Sequence, residues 1–159
     1  MKGRFLIAFM LLTILMTAAA CSKTLRTDAP MTGFSFSHSG MHTGFIYTLS
    51  AARTESGWQA DLSLLAGEQE YEFYMTEEEA RELTGLVKAH ELNRWNGFDK
   101  VDRSALDGYS FEMTIDYEDG QHLYASGSNT FPKGYNAAHE AILKFFGELM
   151  EKNGIENPF

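Results

Sequence analysis

Two histidines, three aspartates, a serine-rich turn and a single cysteine are the side chains of this 159-residue chain whose types and spacing could do chemistry. His38 and His42 are four apart, the spacing that puts two imidazoles on one side of a helix at metal-ligand distance. Here they flank Gly40 in a stretch that alternates like a strand, where four residues span about 13 Å. No cysteine or carboxylate stands beside them to complete a set, so no metal is expected there. Asp99, Asp102 and Asp107 offer oxygen ligands, but the D-x-D-x-D-G spacing of a calcium loop is absent. Turn and cap roles account for them. Ser126-Gly127-Ser128-Asn129 carries two hydroxyls, yet the chain holds neither a G-x-S-x-G elbow nor an S-x-x-K pair. A Ser/His/Asp triad assembles in space and not in sequence, so a hydrolase stays open as a minor reading. No glycine-rich phosphate loop follows a strand and opens a helix. No catalytic residue and no cofactor is therefore assigned.

Cys21 is different, because its position gives the thiol a task. Lys2 and Arg4 form a short positive region, Phe5 to Met16 an apolar run, and Thr17-Ala18-Ala19-Ala20 the small residues that a signal peptidase requires. The run is too short to cross a bilayer, which takes about 20 apolar residues. The segment resembles a bacterial lipoprotein signal, in which a small residue precedes a cysteine that is diacylated, with chains such as palmitate, and becomes the mature N-terminus. Ala18 stands where leucine is commonest. The alternative is an ordinary A-x-A cleavage at Ala18-x-Ala20 that leaves an unpaired thiol. Either way residues 1–20 are removed. The resemblance implies an extracytoplasmic protein anchored through lipid on Cys21, and Ser22 in place of Asp implies delivery to the outer membrane where two membranes exist.

The elements that must position everything else lie downstream. About 140 residues remain, enough for one domain that buries roughly two thirds of its unfolded surface. The formal charge of −9 becomes more negative once Lys2 and Arg4 leave with the signal. Such a surface excludes nucleic acid and electrostatic adhesion to anionic lipid, and leaves the acyl chains as the membrane contact. With no second cysteine the domain rests on its core alone, for which 44% hydrophobic residues, twelve Phe and seven Tyr among them, suffice.

Residues 21–32 read as a lipidated Cys and polar tether, and 33–159 as a single α+β domain. Phe34, Phe36 and His38 alternate with Ser35, Ser37 and Ser39; Phe45, Tyr47, Leu49 and Ala51 share the next face; Trp58, Ala60, Leu62 and Leu64 the third; Tyr71, Phe73 and Met75 the fourth. These four strands predict an antiparallel meander with one wet side. Thr76-Glu77-Glu78-Glu79 is a capping box that opens a helix carrying Ala80, Leu83, Leu86 and Val87 and stopping at Asn96-Gly97. Tyr109 to Gly127 reads as a hairpin on a two-residue Asp119-Gly120 turn, with Tyr117 opposite His122 and Ile115 opposite Tyr124 on the buried face. Ala138, Ile142, Phe145, Phe146 and Leu149 form the stripe of a second helix ending near Gly154. The order ββββα-ββα predicts an antiparallel sheet of about six strands with both helices packed on one face.

Aromatics stand where turn chemistry does not require them. Trp95, Phe98 and Tyr109 bracket the connection between the first helix and the last hairpin, and Phe131 and Tyr135 sit before the final helix. Rimmed by Asn96, Asp99 and Asn129, they form either a candidate binding patch for a protein, peptide or glycan or a plug for the open end of the core. The runs Trp95-Asn96-Gly97-Phe98-Asp99, Leu106-Asp107-Gly108-Tyr109-Ser110-Phe111, Tyr117-Glu118-Asp119-Gly120 and Ala125-Ser126-Gly127-Ser128-Asn129-Thr130-Phe131-Pro132 resemble the motif series of small, uncharacterised lipoproteins of gut bacteria. That resemblance implies location and a single domain, and transfers no catalytic residue. The expected function is a lipid-anchored, non-enzymatic binding module. The alternative within binding is an acidic inhibitor of a cationic, wall-degrading enzyme.

Overall fold

The computed structural model describes residues 24–40, 46–104 and 108–159. Cys21, Ser22, the signal segment, His42, Phe45 and Asp107 lie outside them. The fold is α+β. Its strands are β1 (Met31–Gly40), β2 (Tyr47–Thr54), β3 (Gly57–Leu64), β4 (Gln69–Met75), β5 (Asp99–Val101), β6 (Tyr109–Tyr117) and β7 (His122–Ser128), and its helices α1 (Glu77–Ala89) and α2 (Tyr135–Lys152). They form one seven-stranded sheet in the order β4-β3-β2-β1-β6-β7-β5. The meander β1 to β4 is antiparallel throughout.

Alternation in the sequence becomes two chemically different faces. Phe34, Phe36, Leu49, Ala51, Trp58, Ala60, Leu62, Phe73, Met113, Ile115, Leu123 and Ala125 point to one side and are buried together with Ala80, Leu83 and Val87 of α1 and Ala138, Ile142 and Phe146 of α2. Both helices therefore cover that side. α1 starts as its sequence requires: the Thr76 hydroxyl accepts from the Glu79 amide at 3.2 Å, and the Thr76 amide donates to the Glu79 carboxylate at 2.6 Å. The same carboxylate, buried beneath α2, takes an ion pair from Lys152 and so ties the start of one helix to the end of the other.

Four expectations are corrected. α1 ends at Ala89 and not at Asn96-Gly97, because Glu91 turns left-handed at φ 52° and Leu92–Trp95 form a separate 3₁₀ turn. The sheet is mixed, because β5 pairs in parallel with β7; three residues, Asp-Lys-Val, are too few to show a period. The last hairpin closes through three residues, with the Tyr117 amide donating to the Gln121 carbonyl at 3.0 Å and Gly120 at φ 78°. The extra residue shifts the register by one, so His122 faces Asp116 and Tyr124 faces Thr114. Both therefore stand on the uncovered side, and Leu123 and Ala125 take the core. Finally, residues 24–30 do not hang free as tether. Leu25 and Ala29 pack on the core, Thr27 donates to Asp119 at 2.7 Å, and the Pro30 carbonyl accepts from the Glu118 amide at 2.9 Å. A domain truncated to begin at Met31 is expected to lose on the order of 1–2 kcal/mol against one that begins at Thr24, read from urea midpoints at unchanged m-value.

Candidate functional site

The two aromatic loops do meet, over Phe111 of β6. Trp95, on a 3₁₀ turn after α1, meets that ring edge-on at 6.1 Å; Phe98 lies 6.2 Å away, Phe131 5.9 Å and Tyr135 4.8 Å. Trp95 and Tyr135 are only 3% and 5% exposed, and Phe98 and Phe131 are half-buried. The Trp95 indole N–H donates to the Lys133 carbonyl at 3.3 Å, which joins one loop to the other. The geometry is that of a plug. The polar rim serves the backbone: Asn129, at φ 54°, accepts from the Tyr109 amide through its side chain at 3.0 Å, Asn96 accepts from the Tyr124 amide at 3.4 Å, and Asp99 accepts from the Ser126 hydroxyl at 3.0 Å. Of the rings in the expected patch, Tyr109 alone is a large exposed one, at 46%.

Beside the plug lies a cluster that sequence reasoning missed. His38 of β1 and His139 of α2 stack at 4.8 Å, and Tyr109 also stacks on His38 at 5.6 Å. The Tyr135 hydroxyl meets His38 Nδ1 at 3.0 Å, and the Tyr47 hydroxyl bonds to His139 Nε2. Burial raises the pKa of both phenols and lowers that of both imidazoles, His139 to about 4, where the neighbouring His38 adds to the effect. Each pair is thus a protonated phenol against a neutral ring, with the imidazole tautomer deciding which of the two donates. The available signal was the i, i+4 spacing of Tyr135 and His139 on the apolar stripe of α2.

The consequence is acid lability. The folded pKa of His139 lies below its ordinary 6.5, so the unfolded chain binds more protons between these values. The stabilisation is complete above pH 6.5 and is lost as the pH falls towards 4, by on the order of 1–2 kcal/mol given the solvent access that remains. Thermal melts at pH 7.5 and 4.5 should show a larger drop for the natural chain than for a His139→Gln variant. Equal drops would exclude the cluster as the cause.

The side of the sheet away from the helices presents a different surface. Ser37 and Thr48 hydroxyls pair across β1 and β2 at 2.9 Å, Ser39 and Ser110 across β1 and β6 at 2.6 Å. An open cleft of about 410 Å³ is lined there by these hydroxyls with Glu112, Tyr124, Ser126 and Ser128. Thr48 joins it to a second of about 550 Å³, lined by Ser50, Asp61, Ser63, Glu70 and Glu72. By strand parity Asp61, Glu70, Glu72, Asp99, Glu112 and Asp116 all face this side. Among the described residues no lysine or arginine occupies a strand position facing it. Lys100, whose backbone parity is that of the covered face, also lines the first cleft, and its ammonium sits over the Phe98 ring at 5.4 Å. His122 pairs with Asp116 at 2.7 Å. Asp61 accepts from the Gln59 side-chain amide at 3.0 Å and stands directly opposite Glu72; like charges so placed repel, and a positive partner would relieve them.

No protein-family model matches the chain, and no match is found among curated proteins. Among the described residues no group of three or more His, Cys, Asp or Glu side chains is placed to hold a metal ion, and no helix is long and apolar enough to cross a membrane.

Proposed function

We propose that the protein is a binding module, held by lipid on Cys21 outside the cytoplasmic membrane, and that the uncovered face of its sheet takes a cationic protein partner such as a wall-degrading hydrolase. The observation that carries this reading is the distribution of charge: a broad face of carboxylates and hydroxyls without a lysine or arginine on its described strand positions. Hydroxyls on rigid strands offer donors and acceptors at fixed spacing, and Tyr124, 39% exposed, offers a ring beside them. The net charge steers a basic protein to the surface, and the opposed Asp61 and Glu72 give it a site where its charge is worth most.

The resemblance to small lipoproteins of gut bacteria agrees with this placement, and outer-membrane delivery belongs to the same proposal. The test is capture of a basic wall hydrolase by the immobilised Thr24–Phe159 domain at low and at moderate salt. Capture with an association rate that falls steeply as salt rises supports the reading. No capture, or a rate indifferent to salt, contradicts it.

A further inference from the structure

We infer that β4 is a strand-addition site, and that its ligand is an extended segment of the partner in which basic and apolar residues alternate. This rests on the reading of the uncovered face as a surface for a cationic protein. β4 is the outermost strand on its side of the sheet and pairs with β3 in continuous register from Met75 to Gln69. Sheets normally blunt such an edge with a bulge, a proline, charged side chains or a very short strand. The opposite edge follows that rule, since β5 has three residues. β4 has seven, Gln-Glu-Tyr-Glu-Phe-Tyr-Met, with no bulge and no proline; Glu70 and Glu72 are its guard, and they repel another acidic edge but not a basic one. Its outer backbone groups form a template of strand length.

The side chains of β4 specify what fits. On the uncovered face Glu70 and Glu72 are exposed, with Asp61 of β3 directly behind Glu72. An incoming strand places its own side chains about 4.5–5.5 Å from those of β4, so a lysine or arginine there stands beside Glu70 or Glu72, with Asp61 one strand spacing, about 4.8 Å, further in. On the helix-covered face Tyr71 is half-buried and Phe73 and Met75 are buried, so the alternate residues of the ligand meet apolar surface. The same charges argue against a second copy of this chain as the occupant. Antiparallel pairing of two β4 strands would gather Glu70 and Glu72 of both copies on one face, like charge against like.

The experiment titrates the isotope-labelled Thr24–Phe159 domain with a synthetic peptide of alternating lysine and valine, and with an analogue of equal charge whose backbone nitrogens are methylated. The inference predicts amide shifts concentrated on β4 and β3, affinity at least about tenfold weaker for the methylated analogue because strand hydrogen bonds are lost, and weaker binding to a Glu70→Gln/Glu72→Gln variant. Equal affinity of the two peptides, shifts centred away from β4, or no binding of the alternating peptide overturns strand addition. If the basic hydrolase is still captured in those cases, the surface reading survives; if it is not, both fall.

Discussion

Phe111→Ala is expected to lower the stability of the domain by about 3–5 kcal/mol, the range for deleting a buried aromatic ring. Phe111 is 3% exposed and touches rings from three separate stretches of chain: Phe36 of β1, Trp95 and Phe98 after α1, and Phe131 and Tyr135 at the entry to α2. Truncation leaves a void that these elements can close only by moving relative to one another. A domain of this size holds about 5–15 kcal/mol in all, so the loss is a large share. Tyr109→Ala, at a ring on the rim, should cost far less. Urea unfolding of both variants decides: a Phe111→Ala change below about 1 kcal/mol would show that the aromatic loops are not a structural plug.

The second large effect is on association. Changing Glu70, Glu72 and Glu112 together to Gln removes three charges from the uncovered face and none from the helix side. The rate of capture of a basic hydrolase at low salt is expected to fall about tenfold or more, and its salt dependence to flatten. The variant should fold at least as well as the natural chain. Glu72 faces Asp61, and relieving a like-charge pair directly across strands gains a few tenths of a kcal/mol. Faster or unchanged capture by a variant of normal stability would separate the acidic face from function. Loss of binding with higher stability is the pattern of a surface held in an unfavourable charge state for a partner.

Much of the fold was legible because it is governed by local rules. Period-two alternation in β1 to β4 gave both the strands and their buried faces, and Thr76 with Glu79 placed the start of α1 within a residue. What escaped depended on tertiary context. The strand β5 exists because the Phe98 carbonyl accepts from the Ser126 amide and the Asp102 amide donates to the Ser128 carbonyl, partners 26 to 28 residues away. The last hairpin lies one residue from the register of a two-residue Asp119-Gly120 turn because Gly120, at φ 78°, completes a three-residue one. Residues 24–30 looked like tether because two apolar side chains, Leu25 and Ala29, make no period.

The candidate surfaces show the same division. That Trp95, Phe98, Phe131 and Tyr135 belong together was readable from the two loops that bear them. Whether they cap the core or face solvent depended on Phe111, which occupies an unremarkable strand position. The acidic face was hidden for another reason. Asp61, Glu70, Glu72 and Glu112 each looked like the polar half of an alternating strand, and only the order β4-β3-β2-β1-β6-β7-β5 gathers them on one side.

An amide-shift footprint of a basic wall hydrolase on the Thr24–Phe159 domain, at a salt concentration where the two associate, shows directly which face of the sheet the partner takes. Shifts running across the uncovered face, through Ser63, Glu70, Glu72, Glu112 and Tyr124, with α1 and α2 unperturbed, are the predicted result. A footprint on the helices, or none under conditions where a basic partner should be steered to the surface, would contradict the account.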